Sequence, residues 1–136
     1  MVGRIIISLD CVAEGAAWLA GREPRFAVAL PLCEPLPLRR EADGFSALLR
    51  AIVGQQVSVA SARAIWGRLE DAGLTGAEVM AVATDDDLRA VGLSRQKARY
   101  GRALAQAGID FDALRGMRDA DVVKTLVAVP GIGVWT

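Results

Sequence analysis

The sequence predicts an all-α fold, and three observations support this prediction. Apolar residues recur with the three- and four-residue spacing of helices along most of the 136-residue chain. Ser, Thr and Asp residues stand where such segments begin, and glycines stand where they end. No convincing run alternates apolar and polar residues as a half-buried strand does. Ile5–Ile7 is the one strand-like run, and it is equally compatible with a lead-in to a helix.

The beginning of the chain predicts one or two helices and a connection. Ser8 is a suitable N-cap for a helix that ends near Gly21, and Pro24 suits the first turn of a short second helix. Residues 31–38 contain three prolines, which predict an extended connection. We therefore expect residues 1–42 to form an N-terminal lead-in and residues 43–136 to form a helical domain.

The next helix has the clearest pattern in the chain. Its apolar residues fall on one face, Asp43 is its predicted N-cap, and Gly54 breaks the pattern. The apolar face consists of Phe45, Leu48, Leu49, Ile52 and Val53.

Capping residues predict the remaining helices. Ser58 begins a helix that ends at the C-terminal glycine Gly73, and residues 75–78 fit a capping box for a short helix. Thr84 begins another helix whose first turn holds three aspartates, where the helix dipole favours negative charge. Ser94 begins a helix that runs to about Gly108.

The last predicted helix begins at Asp119, which we interpret as its N-cap, and carries Val122, Val123 and Leu126. The other aspartates that precede the end of the chain, Asp110, Asp112 and Asp121, are interpreted as surface residues. The chain then finishes on an apolar run that contains a tryptophan. Because natural termini are usually polar, we expect this run to be an element interrupted midway.

The composition excludes several kinds of site. The chain has no histidine, which excludes histidine triads, histidine-ligated zinc and imidazole bases. Cys11 and Cys33 cannot supply a four-thiolate iron–sulfur cluster, and we expect them to be small buried apolar side chains. No apolar run is long enough for a membrane span, and Asp10 and Glu14 make the N-terminus unlike a secretion signal. These features predict a cytoplasmic protein.

Three motifs point to nucleic acid, although the formal net charge of zero points weakly away from it. The Gly131–Gly133 turn could offer backbone N–H groups to a phosphate, or it could be an ordinary turn. Gln55 and Gln56 stand at a helix corner, where they could bind base edges or lie in solvent. Residues 95–102 carry four positive charges and no negative ones, which also suits a solvated helix.

Taken together and in this order, residues 45–58, 92–97 and 126–136 resemble bacterial 3-methyladenine DNA glycosylase II, a member of the helix-hairpin-helix DNA glycosylase superfamily. The resemblance covers about two thirds of the chain. It implies a helical bundle of the glycosylase type, interrupted within its hairpin motif. It also implies a compact N-terminal lead-in rather than a β-rich domain.

The resemblance assigns roles to particular residues. Gly131 and Gly133 would bind a DNA phosphate through backbone amides, and the corner at Gln55 and Gln56 would enter the gap left by a flipped nucleotide. Trp135 would line the pocket for the flipped base, where a cationic alkylated purine gains from stacking on an indole ring. The resemblance also implies a monovalent cation on the main-chain carbonyls of Val127, Val129 and Ile132.

The resemblance implies hydrolysis of the bond between base and sugar in duplex DNA that contains alkylated bases. The transition state carries positive charge on the sugar, which a nearby carboxylate stabilises. In the family this aspartate lies beyond the second helix of the hairpin motif, so it would lie beyond Thr136. No aspartate of this chain matches it, and we expect the 136-residue polypeptide to be catalytically inactive by itself.

Two other functions stay open at this point. The chain could be a non-enzymatic DNA-binding module, with affinity that falls as salt rises. It could also be a helical structural or interaction protein that has no role with DNA. The apolar faces at residues 129–135 would lack partners in a truncated chain, so we expect the fragment to self-associate.

Overall fold

The computed structural model describes residues 4–33 and 35–136. Within these ranges every regular element is a helix, which confirms the prediction of an all-α fold. The described residues form two compact units, which divide between Glu41 and Ala42. Met1–Gly3 of the N-terminal run and Glu34 of the proline-rich stretch lie outside the described residues.

The first unit contains two packed helices, α1 (Leu9–Ala20) and α2 (Pro24–Cys33). Ser8 is the N-cap of α1 as predicted, because its hydroxyl accepts a hydrogen bond from the backbone N–H of Cys11 at 3.4 Å. The run from Ile5 to Ile7 has no regular structure, and all three side chains are exposed.

The predicted extended connection begins later than expected. Pro31 to Cys33 belong to α2, whereas residues 35–38 are irregular. A proline ring holds φ near the helical value and removes one backbone donor. Because Pro31 lies in the last turn of α2, the missing donor interrupts few further hydrogen bonds, and the helix continues to Cys33.

The prediction that both cysteines are buried is wrong. Cys33 is exposed and Cys11 is half-buried. The Ser8 hydroxyl donates to the Cys11 Sγ at 3.5 Å and, with backbone hydrogen bonds at Ile7 and Ser8, lowers the pKa of Cys11 to about 7. The Arg4 guanidinium, 3.7 Å from the sulfur, acts in the same direction.

Between Ala42 and Thr136 the chain forms seven further helices, which are α3 (Phe45–Gly54), α4 (Val59–Asp71), α5 (Ala77–Val82), α6 (Asp85–Ala90), α7 (Arg95–Gln106), α8 (Phe111–Leu114) and α9 (Asp119–Val127). Helix α7 packs against α3, α5 and α6, and α3 also packs against α4. The side chains that are completely or almost completely buried come from α3 to α7, and they are Leu49, Ile52, Val53, Leu69, Met80, Leu88 and Leu104. These side chains form the centre of the core, which also contains Val129 and Ile132 near the end of the chain.

Three predicted helix starts are confirmed by hydrogen bonds. The hydroxyls of Ser58 and Ser94 each accept from the backbone three residues on. Thr84 forms a complete capping box with Asp87. Gly73 and Gly92 follow their helices with positive φ, as C-terminal glycines do.

Three other predicted caps are wrong, and at Asp43 the cause is a tertiary partner. Asp43 is not an N-cap; Gly44 precedes α3, and the Asp43 carboxylate pairs with Arg115 at 2.8 Å. Thr75 forms no capping box, since α5 begins after Gly76 without a side-chain cap. Asp119 is the first residue of α9 rather than its cap.

Helix α8 was not predicted. Its four residues are too few to show a helical period, and its signal lies in Asp110, whose side chain accepts from the Ala113 N–H at 2.9 Å. Asp110 therefore caps a helix and is more than a surface residue.

None of the helices described is both long and apolar enough to cross a bilayer. In the same ranges, no cluster of three or more His, Cys, Asp and Glu side chains has the arrangement of a metal site.

We predict that Cys11 is alkylated by iodoacetamide with a rate midpoint near pH 7, because its pKa is lowered to about 7. The folded pKa is depressed, so the thiolate is present above this pH and is lost below it. In a Cys33→Ser background, Ser8→Asp keeps the helix cap but replaces the hydroxyl donor with a negative charge, which should raise the midpoint. A midpoint of about 8.5 without this substitution, the value of an unperturbed thiol, would contradict the prediction.

Candidate nucleic-acid interface

The corner between α3 and α4 turns through a strained backbone. Gln55 is extended, with φ −60° and ψ 131°, and Gln56 has φ +56°, the one positive φ at a non-glycine residue among those described. A left-handed conformation costs such a residue about 1–2 kcal/mol. The turn leaves the Gln56 side chain exposed to solvent.

The Gln55 side chain contacts the turn near the end of the chain. Its Nε2 donates to the Gly131 carbonyl at 2.9 Å and lies 3.4 Å from the Thr136 Oγ1. The corner and the turn, 76 residues apart in sequence, are thus joined by a direct hydrogen bond. The structure therefore brings together Gln55 and Gly131, which the sequence assigned to one function through separate motifs.

The turn at Gly131 requires glycine for two reasons. Its φ is +91°, and a Cβ built on it would lie 2.3 Å from two carbons of the Tyr100 ring. The Tyr100 hydroxyl in turn accepts a hydrogen bond from Gln96 at 2.7 Å. The turn therefore rests on an aromatic ring of α7, and any side chain at position 131 would displace it.

Gly133 differs from Gly131 in both respects. Its φ is not positive, and an added Cβ would meet only the Thr136 Oγ1, at an ordinary 3.8 Å. Its backbone N–H donates to the Thr136 hydroxyl at 2.9 Å. One of the amides that the sequence assigned to a phosphate is therefore bound to an oxygen of the chain.

A polar cleft of about 230 Å³ opens beside the corner. Residues from the corner and from the start of α7 line it, namely Gln55, Gln56, Val57, Ser94, Gln96, Lys97 and Tyr100. Lys97 is the one charged residue in this lining, and no carboxylate is part of it. Sequence reasoning missed Gln96 and Tyr100, whose four-residue spacing on a helix is the signal that could have revealed them.

Lys97 fixes α7 to the end of α3. Its Nζ donates to the Val53 carbonyl at 2.7 Å, and partial burial lowers the pKa of Lys97. The carbonyls in the last turn of a helix lack helical partners and carry partial negative charge, so an ammonium group is well placed there.

The four basic residues of α7 divide into two pairs. Lys97 contacts α3, and Arg102 donates to the Ala83 carbonyl at 3.1 Å and pairs with Asp85. Arg95 and Arg99 are exposed, and the Arg99 guanidinium lies 5.6 Å from the centre of the Tyr100 ring. Arg95 and Arg99 therefore present their charge to solvent, whereas Lys97 is the basic residue of α7 that lines the cleft.

Of the three carbonyls assigned to a monovalent cation, those of Val127 and Val129 precede the turn and that of Ile132 lies within it. Val129 and Ile132 are buried in the core, whereas Val127 is partly exposed. The Val129 carbonyl already accepts from the Ile132 N–H at 3.1 Å. A carbonyl oxygen has a second lone pair, so the donor set is compatible with a hard monovalent cation.

Trp135 stands apart from the other predicted site residues. Its side chain is 99% exposed, and Val134 before it is 72% exposed. The indole is therefore open to solvent over almost its whole surface.

Several acidic residues of the second unit are held in caps and ion pairs. Asp87 and Asp110 cap helices, and Asp43, Asp86 and Asp121 pair with arginines at 2.8 to 3.1 Å. The pKa of Asp85 is lowered by the Arg102 guanidinium, and that of Asp87 is lowered by the Thr84 hydroxyl.

Comparisons with known proteins bear on this arrangement. A family model described as "HhH-GPD superfamily base excision DNA repair protein" matches residues 49–130. The crystal structure of a DNA-3-methyladenine glycosidase from Bacillus halodurans matches with a TM-score of 0.74 and 29% identity, over 86% of this chain and 57% of that chain. The chain thus spans little more than half the length of that structure. No curated protein matches.

We predict that Gly131→Ala lowers the free energy of unfolding by at least about 2 kcal/mol, because the substitution combines a positive φ with overlap against Tyr100. Gly133→Ala is the matched control and should cost less than about 1 kcal/mol, since its Cβ meets no close neighbour. Urea denaturation of both variants measures the difference. Equal losses in the two variants would show that Tyr100 does not constrain the turn.

Proposed function

Because the chain belongs to the HhH-GPD superfamily of base excision DNA repair proteins, we propose that residues 42–136 bind duplex DNA for a glycosylase that removes alkylated, 3-methyladenine-like bases. The sequence resemblance to helix-hairpin-helix DNA glycosylases is confirmed at the level of the family and of the fold. The observation that carries the proposal is the hydrogen bond between Gln55 and Gly131, which joins the corner to the turn.

In the proposed complex, the turn at Gly131 and Gly133 holds a DNA phosphate through backbone amides. The Gly133 N–H now donates to the Thr136 hydroxyl, and a phosphate oxygen would replace this hydroxyl as the acceptor. The exposed Arg95 and Arg99 would add electrostatic attraction to neighbouring phosphates.

The exposed Gln56 would enter the gap that the flipped nucleotide leaves in the duplex. Its left-handed backbone supports this role, because strain of this kind often occurs at functional sites. Trp135 would stack on the flipped base, and its exposed ring has both faces accessible to a cationic purine.

The proposed reaction is hydrolysis of the bond between C1′ and the base nitrogen. The C1′–N bond breaks and the base leaves with the electron pair, while a water oxygen bonds to C1′ and the proton that this water loses passes to solvent. A carboxylate beside the sugar would stabilise the positive charge that develops. None lines the cleft, so we propose that the 136-residue polypeptide binds DNA without catalysing turnover.

The family also implies a structural monovalent cation. We propose that the carbonyls of Val127, Val129 and Ile132 would hold it, where it would place positive charge close to the phosphate-binding turn. The cytoplasmic location predicted from the sequence suits a DNA substrate and stays a prediction.

A non-enzymatic DNA-binding role is the second candidate, and the lack of a carboxylate in the cleft favours it for this polypeptide. Both candidate functions require binding to DNA, and the second differs because it has no catalytic carboxylate. A structural role without DNA predicts no binding at all.

We predict that the polypeptide binds a duplex with a tetrahydrofuran abasic-site analogue more tightly than the intact duplex, and that salt weakens both complexes. The logarithm of the affinity should fall by about 0.9 per logarithmic unit of salt for each phosphate neutralised. Fluorescence anisotropy measures binding, and alkaline cleavage of methylated DNA measures turnover. Salt-independent binding would contradict the DNA proposal, and turnover would contradict the proposed inactivity.

We also predict that the polypeptide self-associates through the exposed surface of Val127, Val134 and Trp135. Trp135→Ser should reduce the weight-average mass in sedimentation at high concentration. Trp18→Ser is the control, because Trp18 is exposed but lies in the first unit. If Trp18→Ser reduces association and Trp135→Ser does not, this surface is not responsible.

A further inference from the structure

The two glutamines of the corner have different environments, although the sequence treats them as one pair. The Gln55 amide is half-buried and donates to the Gly131 carbonyl at 2.9 Å. The Gln56 side chain is exposed, and its backbone has a positive φ. Neighbouring residues of the same type thus have unlike contacts, and they need not share a function.

The turn is held from two sides. Gln55 contacts its carbonyl from the corner, and the Tyr100 ring contacts the Gly131 backbone from α7. Tyr100 is fixed in turn by the hydrogen bond from Gln96 at 2.7 Å. Lys97 completes the frame by joining α7 to the Val53 carbonyl, close to the corner itself.

We propose that Gln55 is a positioning residue that fixes the distance between Gln56 and the turn at Gly131 and Gly133. This inference rests on the proposed function, because it deepens the account of how the same surface binds DNA. A duplex held by its phosphate at the turn would then present its gap to Gln56. Gln55 itself would contact neither the gap nor a base.

The alternative is that Gln55 binds a base directly, as the pairing of the two amides suggests. To do so, its Nε2 would have to release the Gly131 carbonyl. A partly buried acceptor would then lose its partner, and the turn would lose one of its two supports. The observed geometry therefore favours positioning over base recognition.

Two matched substitutions separate these roles. Gln55→Met and Gln56→Met each preserve side-chain length and remove the amide, and they differ by one position. If Gln55 acts through the turn, Gln55→Met should weaken binding to the intact duplex and to the abasic-analogue duplex by the same factor, about 3- to 10-fold. Gln56→Met should weaken only the abasic-analogue complex. A Gln55→Met protein that loses only the preference for the abasic analogue would overturn the proposal.

A second measurement needs no DNA and keeps the two proposals separate. Hydrogen exchange of the peptide covering residues 127–136 should be faster in Gln55→Met and unchanged in Gln56→Met, because only the first substitution releases the Gly131 carbonyl. Equal exchange in both variants overturns the positioning role whatever the DNA result. If the unsubstituted chain binds neither duplex, the proposed function fails, and the exchange data still decide whether Gln55 holds the turn.

Discussion

The close packing of α7 against its neighbours is the constraint on which the second unit depends. A Cβ at Gly101 would lie 3.2 Å from the side chains of both Leu49 and Met80, so the absence of a side chain brings α7 next to α3 and α5. At this distance Lys97 reaches the last turn of α3, and Tyr100 reaches the turn at Gly131. Helix α7 therefore holds the candidate interface together, although it supplies only some of the residues that line the cleft.

Much of the fold follows from local signals, and the exception at Asp43 has a tertiary cause. Ser58, Thr84 and Ser94 cap their helices because each hydroxyl finds a backbone N–H three residues ahead. Asp43 was predicted to act in the same way, but its carboxylate pairs with Arg115, 72 residues away. A local pattern cannot reveal such competition, because the competing partner is set by tertiary structure. Helix α8 was missed for a different reason, because its four residues are too few to show a helical period.

The sequence predicts which residues belong to the candidate site, but it does not predict the hydrogen bonds between them. Gln55 and Gly131 were assigned to one function, and the structure places them in direct contact. Their hydrogen bond could not be predicted, since it requires knowledge of how α3 and α9 lie relative to one another. The hydrogen bond from the Gly133 N–H to the Thr136 hydroxyl was also not predicted, although the two residues are only three positions apart.

A net charge of zero does not argue against a DNA partner, because the charges are unevenly distributed. The acidic groups of α6 and α8 take part in helix caps and in ion pairs. In the ion pairs, the positive charge of an arginine reduces the negative potential around the carboxylate. Exposed pairs of this kind contribute little to stability, so their larger effect is on the surface potential. The cleft keeps Lys97 as its one charge, and Arg95 and Arg99 lie exposed on the same helix. Salt largely screens the interaction between exposed charges that are more than about 8–10 Å apart. A phosphate close to the cleft would therefore interact mainly with the charges around it and little with the rest of the protein.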